Sequence, residues 1–302
     1  MKLESFLCAL KENGICYKTD EPMWKHTTFH IGGAADVFVA PCSLEQLKTT
    51  VQLTRAAGLP YFCIGRGSNL LVSDNGIEGV VISLCELKEI SVEGTLIRCG
   101  AGASLAGLCT AARDARLTGL EFAYGIPGSV GGAMVMNAGA YGGEMEQVTV
   151  SVDVLDADGN LKTILKEEME LGYRKSVFQK EPWIIVSCTF RLNEGDGQEI
   201  AQKMEELMNR RKDKQPLEYP SAGSTFRRPE GYFAGALIEK NNLKGVSCGG
   251  AQVSEKHAGF VINKDSATAK DVLGLIEKIQ STVLENDGVL LHPEVIFVGR
   301  AE

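Results

Sequence analysis

The sequence predicts an α+β protein with mixed sheets, in a larger first part that ends near Asn193 and a smaller second part. Three observations carry this. Short apolar runs and alternating segments of strand type occur together with stretches at helical spacing. The polar, glycine-containing segment NEGDGQ, from Asn193, reads as a linker. No fixed-period repeat is present, which excludes a solenoid.

In chain order, His26 and His30 come first, spaced as a helical metal pair would be. Thr27, Thr28 and Phe29 between them favour a strand, on which the two imidazoles stand about 13 Å apart and cannot share a metal. No metal site is therefore expected. Ser43-Leu-Glu-Gln46 reads as a capping box that starts a helix with Leu44, Leu47 and Val51 on one face. YFCIG, from Tyr61, and GVVIS, from Gly79, are short apolar runs of buried-strand type. A second helix follows Ser104, with Leu105, Leu108, Cys109 and Ala112 at helical spacing. Val148, Val150, Val152 and Val154 alternate, and DADGN, from Asp156, turns the chain into a hairpin. Ile184, Val186, Cys188, Phe190 and Leu192 form another alternating strand. Beyond the linker, Ile200, Met204, Leu207 and Met208 lie on a helix that leads into the basic run RRKDK. Thr268 to Asp271 caps a helix with Val272, Leu275, Ile276, Ile279 and Val283 as its stripe, and VIFVG, from Val295, is a final strand.

Composition narrows the function. A chain of 302 residues is long enough for two or three compact units. Lys plus Arg is 31 and Asp plus Glu is 39, a net charge of −8. That excludes broad binding to nucleic acid, which needs a basic face, but leaves room for small anions held by local Arg and Lys. Nine cysteines, an odd number without a CxxC pair, read as reduced core thiols of a cytosolic protein. No apolar run approaches the ~18 residues of a membrane helix, and MKLESFLCAL lacks the charge pattern of a signal peptide. No membrane insertion is expected.

The glycines gather in loops. IGRGSNLLV, from Ile64, follows a strand. Gly65 and Gly67 bare successive N–H groups, Ser68 and Asn69 add donors, and Arg66 adds charge, a set that suits a pyrophosphate or simply makes a tight turn. It lacks the third glycine of the dinucleotide fingerprint and the Lys of a Walker loop. GIPGSVGGAMVMNAGAY, from Gly125, is too long and too glycine-rich for a turn and reads as backbone lying against a flat or extended ligand. Three side chains carry candidate chemistry. Ser224, in SAGSTFRRP, has no nucleophile-elbow flanks and is either a cap or a proton donor. Glu294 precedes an apolar strand, a poor place for a solvated carboxylate. Arg174, in GYRKSVF, is either a surface arginine or a two-pronged carboxylate binder.

Taken together, the segments HTTFHIGGAADVFVAP, IGRGSNLLVSDNGIEGVVI, EFAYGIPGSVGGAMVMNAGAYG, YRKSVF, RKDKQPLEYPSAGSTFRRP, GGAQVSEKHAGFVIN and LHPEVIFVG resemble the UDP-N-acetylenolpyruvoylglucosamine reductase (MurB) family. The likeness runs over nearly the whole chain. It implies a two-subdomain FAD-binding domain of the vanillyl-alcohol oxidase (PCMH) type over 1–195. A smaller α+β substrate-binding domain over 196–302 would follow, its C-terminal strand returning to the flavin site. About fifty residues separate Arg174 from Ser224, which matches the family's shorter class and leaves no room for a tyrosine-bearing insertion.

The resemblance also implies chemistry. FAD, bound non-covalently, would lie on Ile64, Gly65, Arg66, Gly67, Ser68, Asn69 and Leu70. Its second loop would supply Gly125, Pro127, Gly128, Ser129, Gly131, Gly132, Asn137, Ala138, Gly139 and Tyr141. NADPH would reduce the flavin and leave. UDP-N-acetylglucosamine enolpyruvate would then take a hydride at C3, with Arg174 and Glu294 steadying the charge and Ser224 giving a proton to C2. Lys214, Arg228, His257 and Asn263 fall where the family binds substrate, although Arg228 replaces an asparagine found in some relatives.

Overall fold

A computed structural model describes residues 2–301. The chain forms two compact units. Unit 1 is Met1–Lys18, Val37–Arg66 and Gly79–Arg210; unit 2 is Thr19–Asp36, Gly67–Glu78 and Arg211–Glu302. Among the described residues the α-helices are α1 (Lys2–Glu12), α2 (Leu44–Ala56), α3 (Leu105–Asp114), α4 (Val130–Val135), α5 (Gly197–Lys214), α6 (Ala234–Lys240) and α7 (Ala269–Asp287).

Unit 1 is built on a five-stranded antiparallel sheet. Its order is Leu161–Leu165, Thr149–Leu155, Ile184–Arg191, Leu96–Gly100, Ile90–Glu93. Val152, Cys188 and Ile97 send apolar side chains into one core with Leu105, Leu108 and Met134. Cys99 and Cys109 join Cys188 in this core, but Cys8, Cys16 and Cys42 are exposed, so the cysteines are not all core thiols as expected. The expected hairpin forms: Leu155 pairs with Leu161, and Asp156 Oδ1 accepts the N–H groups of Asp158 and Asn160 at 2.9 Å each. The even alternation expected from Val148 to Val154 does not persist. Register shifts between Thr149 and Ser151 and between Asp153 and Val154 leave Val150 half-buried while Val152 and Val154 are fully covered. Helix α3 starts as expected, with Ser104 Oγ accepting the Gly107 N–H at 3.0 Å. Helix α2 has half of the expected box. Ser43 Oγ accepts the Gln46 N–H at 3.2 Å, but the Gln46 side chain accepts from the Cys42 N–H, one residue early. Tyr61–Ile64 pairs in parallel with Val80–Ser83. The segment after the alternating strand is tied down, as Asn193–Glu194 pairs with Leu117–Thr118.

Unit 2 has its own core around α7, whose Val272, Leu275, Ile276, Ile279 and Val283 pack with Leu237, Ile238, Val253 and Val261. The reciprocal box at its start is complete: the Asp271 N–H donates to Thr268 Oγ1 at 3.1 Å and the Thr268 N–H to Asp271 Oδ2 at 3.0 Å. Beside it lies a three-stranded antiparallel sheet, Ser247–Cys248, Ala251–Val253 and Val261–Asn263. Leu70–Val72 pairs in parallel with Ile296–Val298. The expected strand through His26–His30 is absent. Met23–His26 is a single 3-10 turn, and His30 takes a left-handed φ of 53°. Gly33 donates its N–H to the Ser73 carbonyl and accepts the Met23 N–H, so this segment folds around unit 2's own backbone instead of extending.

Candidate active site

The loop from Ile64 to Leu70 leaves the end of a strand and passes from unit 1 to unit 2 between Arg66 and Gly67. On the unit 1 side, Gly65 lies against the start of α4. A Cβ on Gly65 would overlap Ser129 Oγ and sit 3.1 Å from Ser129 Cβ. Its carbonyl accepts the Cys85 thiol at 3.3 Å. On the unit 2 side, Gly67 has a φ of 60° and turns tightly over the His26 carbonyl. Among the described residues no protein acceptor takes the N–H groups of Gly67, Ser68 or Asn69, and the same holds for Arg66. Consecutive unbonded N–H groups are an anion-binding feature.

The second glycine loop is mostly occupied by its own protein. The Val130 and Gly131 N–H groups donate to the Ala103 and Ala101 carbonyls at 2.8 Å each, and Gly132 N–H donates to Ser129 Oγ at 3.3 Å. The Leu105 N–H donates to the Gly128 carbonyl at 3.1 Å. Gly131 therefore packs against Ala101, whereas Gly132 is exposed. Gly125 is half-buried and Pro127 exposed. Ala138 donates its N–H to the Ala133 carbonyl. Gly139 and Ala140 pair with Gly143 and Glu144 in a short hairpin whose turn, Tyr141-Gly142, has φ of 54° and 87°. Tyr141 is exposed, and Arg210 stacks over its ring at 5.0 Å.

Asn137 is fully buried, and its amide is spent on the protein. Nδ2 donates to Glu144 Oε2 at 3.0 Å and to the Gly172 carbonyl at 3.1 Å, while Oδ1 accepts the Glu146 N–H at 2.9 Å. The Gly172 contact holds the loop that carries Arg174. Gly172 and Lys175 exchange both backbone hydrogen bonds at 3.1 Å, so Tyr173 and Arg174 are the two residues of a tight turn. Arg174 has a φ of 53°. An L-residue there costs roughly 1–2 kcal/mol unless the surroundings hold it. Its guanidinium lies 5.1 Å from the Tyr173 ring centroid.

In unit 2 three distant motif segments are tied together. The Glu294 N–H donates to the Thr225 carbonyl at 2.8 Å, next to Ser224. Asn69 Nδ2 donates to the Glu294 carbonyl at 3.1 Å, and the Ile296 N–H donates to the Asn69 carbonyl at 2.9 Å. Ser224 is exposed, while Thr225 is buried, its Oγ1 accepting the Val261 N–H at 2.9 Å. The exposed Ser224 is thus mounted on a fixed backbone, with the half-buried Glu294 just before the Ile296–Val298 strand. Lys214 ends α5 and is exposed. Arg228 stacks over Phe233 at 4.1 Å. His257 Nδ1 accepts the Gly259 N–H at 3.1 Å, so the neutral ring carries its proton on Nε2. Burial lowers the pKa of this imidazole below the ordinary histidine value. Asn263 is committed within unit 2: Nδ2 donates to the Phe29 carbonyl at 3.1 Å and Oδ1 accepts the Ala267 N–H at 2.8 Å.

Gln179 and Ser176, neither of which the sequence singles out, bond the Val135 carbonyl at 2.8 and 2.7 Å and fasten the Arg174 loop. The signal was faint, a serine and a glutamine just after a motif arginine. Among the described residues no group of three or more His, Cys, Asp or Glu could hold a metal, and no helix is long and apolar enough to cross a membrane.

Two family models match the chain. An FAD binding domain covers residues 35–165, and the C-terminal domain of UDP-N-acetylenolpyruvoylglucosamine reductase covers 215–298. A UDP-N-acetylenolpyruvoylglucosamine reductase of Clostridium botulinum (strain Hall) is 54% identical over 280 residues, 93% of this chain and 92% of that protein. The crystal structure of UDP-N-acetylenolpyruvylglucosamine reductase from Thermus caldophilus matches with a TM-score of 0.80 and 36% identity, over 94% of this chain and 98% of that one. A berberine bridge enzyme variant matches at a TM-score of 0.50 and 16% identity, over 64% of this chain and 44% of that one, a likeness of fold alone. The fold is thus α+β, an FAD-binding domain of the vanillyl-alcohol oxidase type with a smaller α+β domain, and the compact units alternate along the chain instead of simply following one another.

Proposed function

The chain belongs to the UDP-N-acetylenolpyruvoylglucosamine reductase family, and from that premise we propose that it reduces UDP-N-acetylglucosamine enolpyruvate to UDP-N-acetylmuramate with NADPH. It is an FAD-dependent oxidoreductase of cell-wall precursor synthesis, and we assign the step to the cytoplasm. The observation that carries the reading is the match over 93% of the chain. The unbonded N–H groups of Gly67, Ser68 and Asn69 fit the cofactor, since they are the donors a dinucleotide pyrophosphate requires.

We assign residues 1–195 mainly to FAD and 196–302 mainly to the sugar nucleotide, Arg174 being the substrate-binding residue of the first part. FAD supplies, when bound, a two-electron store between NADPH and C3 of the enolpyruvyl group. The protein's own residues do the rest. The Arg174 guanidinium binds the enolpyruvyl carboxylate, where charge accumulates as C2 becomes electron-rich. Glu294 holds the same end of the substrate only when it carries or shares a proton, because a bare carboxylate would repel the charge there. Ser224, an exposed residue, donates the proton that C2 needs. Lys214 and Arg228 hold the nucleotide phosphates, and neutral His257 offers an Nε2–H donor.

Following NADPH oxidation with and without the enolpyruvyl sugar nucleotide tests the reaction. Stopped-flow measurement of each half-reaction in Ser224→Ala tests the proton donor. Flavin reduction should stay near wild type, and reoxidation by the sugar nucleotide should slow by about 10²–10⁴-fold. Equal slowing of both halves would leave Ser224 as a shaping residue only.

A further inference from the structure

The turn that presents Arg174 does not hold itself. Its own strands amount to a single bridge between Gly172 and Lys175, and Arg174 sits in a left-handed conformation that favours glycine. What fixes it comes from the C-terminal end of α4, from Asn137 just beyond it, and from the short turn Val177–Gln179. Asn137 Nδ2 donates to the Gly172 carbonyl, before the turn, at 3.1 Å. Gln179 Nε2 donates to the Arg174 carbonyl at 3.1 Å and to the Val135 carbonyl at 2.8 Å. Ser176 Oγ, fully buried, reaches the same Val135 carbonyl at 2.7 Å. The carbonyls on both sides of the guanidinium-bearing residue are therefore pinned, all within unit 1.

We propose that Gln179 and Asn137 are positioning residues for Arg174. The inference rests on the reading of Arg174 as the substrate-carboxylate binder. Asn137 supports the turn from the core side and Gln179 from the exposed side. Neither needs to touch substrate. A misplacement of about 1 Å at a reacting group can cost on the order of 10²-fold in rate, so losing one pin should be visible in the step that uses Arg174.

Gln179 is the better residue to perturb, because it is exposed and its replacement leaves no buried hole. Gln179→Met removes the donor and keeps the length; Gln179→Glu keeps the shape. Both should be made in the FAD-loaded enzyme and also in an Arg174→Ala background. With the flavin reduced beforehand by dithionite, reoxidation by the enolpyruvyl sugar nucleotide should slow about tenfold or more in Gln179→Met and Gln179→Glu. Melting temperature and NADPH-driven flavin reduction should stay near wild type. In the Arg174→Ala background the same Gln179 changes should add less than about twofold, since a residue that acts through Arg174 has nothing left to position. Equal slowing in both backgrounds, or no slowing in the single variants, overturns the positioning role. Wild-type reoxidation by Arg174→Ala alone overturns the reading of Arg174 itself, a distinct result.

Discussion

Gly65 is where the first glycine loop meets the second, and an alanine there has no room for its Cβ. A Cβ there would overlap Ser129 Oγ, and Ser129 is 2% exposed. One of two things must give. Ser129 can rotate away, which forfeits its bond to the Gly132 N–H, a lost cap of about 0.5–2 kcal/mol. Alternatively the loop can retreat, which draws the Gly65 carbonyl off the Cys85 thiol and moves the neighbouring Arg66 N–H. If one charge-assisted hydrogen bond to the FAD pyrophosphate is lost, that costs about 1.5–3 kcal/mol. Each ~1.4 kcal/mol is tenfold in Kd, so FAD affinity should fall about tenfold or more. Urea unfolding of the FAD-free protein reads the first cost, and quenching of flavin fluorescence reads the second. Ser129→Ala separates them. Alone it should cost the cap, and on top of Gly65→Ala it should cost little, giving a coupling of about 1 kcal/mol. Additive costs together with unchanged FAD affinity would refute the argument that the two loops meet at this pair.

Two further outcomes are expected. Lys214→Ala should raise the KM for the sugar nucleotide about tenfold, one charge-assisted contact, while the flavin-to-protein ratio stays constant; lost flavin with an unchanged KM would move Lys214 to the cofactor. Burial pushes the Cys99 thiol up to about 12 and raises Cys109 and Cys188 as well. An unfolded thiol titrates near 8.5, so below that pH these residues give no pH dependence; above it only the unfolded chain releases protons, and stability should fall by up to ~1.4 kcal/mol per pH unit for each thiol. Urea midpoints at rising pH check this, and Cys99→Ala should flatten the slope.

Local signals in the chain were sufficient for the elements that cap themselves. Ser104 before α3, Thr268 and Asp271 around α7, and Asp156 in its hairpin all close their bonds within a few residues. The stretch from Met23 to Gly33 was opaque because its conformation answers to partners far along the chain, such as Ser73. The bulges at Thr149 and Asp153 were hidden for the same reason, since they depend on register with Ile184–Arg191. Within the candidate site, a resemblance of motifs could name Ser129, Gly131 and Asn137 but could not sort their tasks. Gly131 serves packing against Ala101, and Asn137 spends its whole amide on neighbouring protein. Arg174 was visible as a motif residue, whereas its support by Gln179 depends on a carbonyl 44 residues earlier.

The bond between Asn69 and Glu294 joins positions 225 residues apart, and Leu70–Val72 finds its parallel partner at the same junction. On the ribosome this has a cost in time. The apolar Leu70–Val72 emerges early, yet Ile296–Val298 follows only after roughly ten to forty-five seconds at about 5–20 residues per second. Through that interval the segment has no native ladder to join, and unit 2 cannot close until the final residues are made. Nascent chains stalled before residue 290 should therefore be captured by chaperones and cut by protease near Leu70, whereas released full-length chains should resist both.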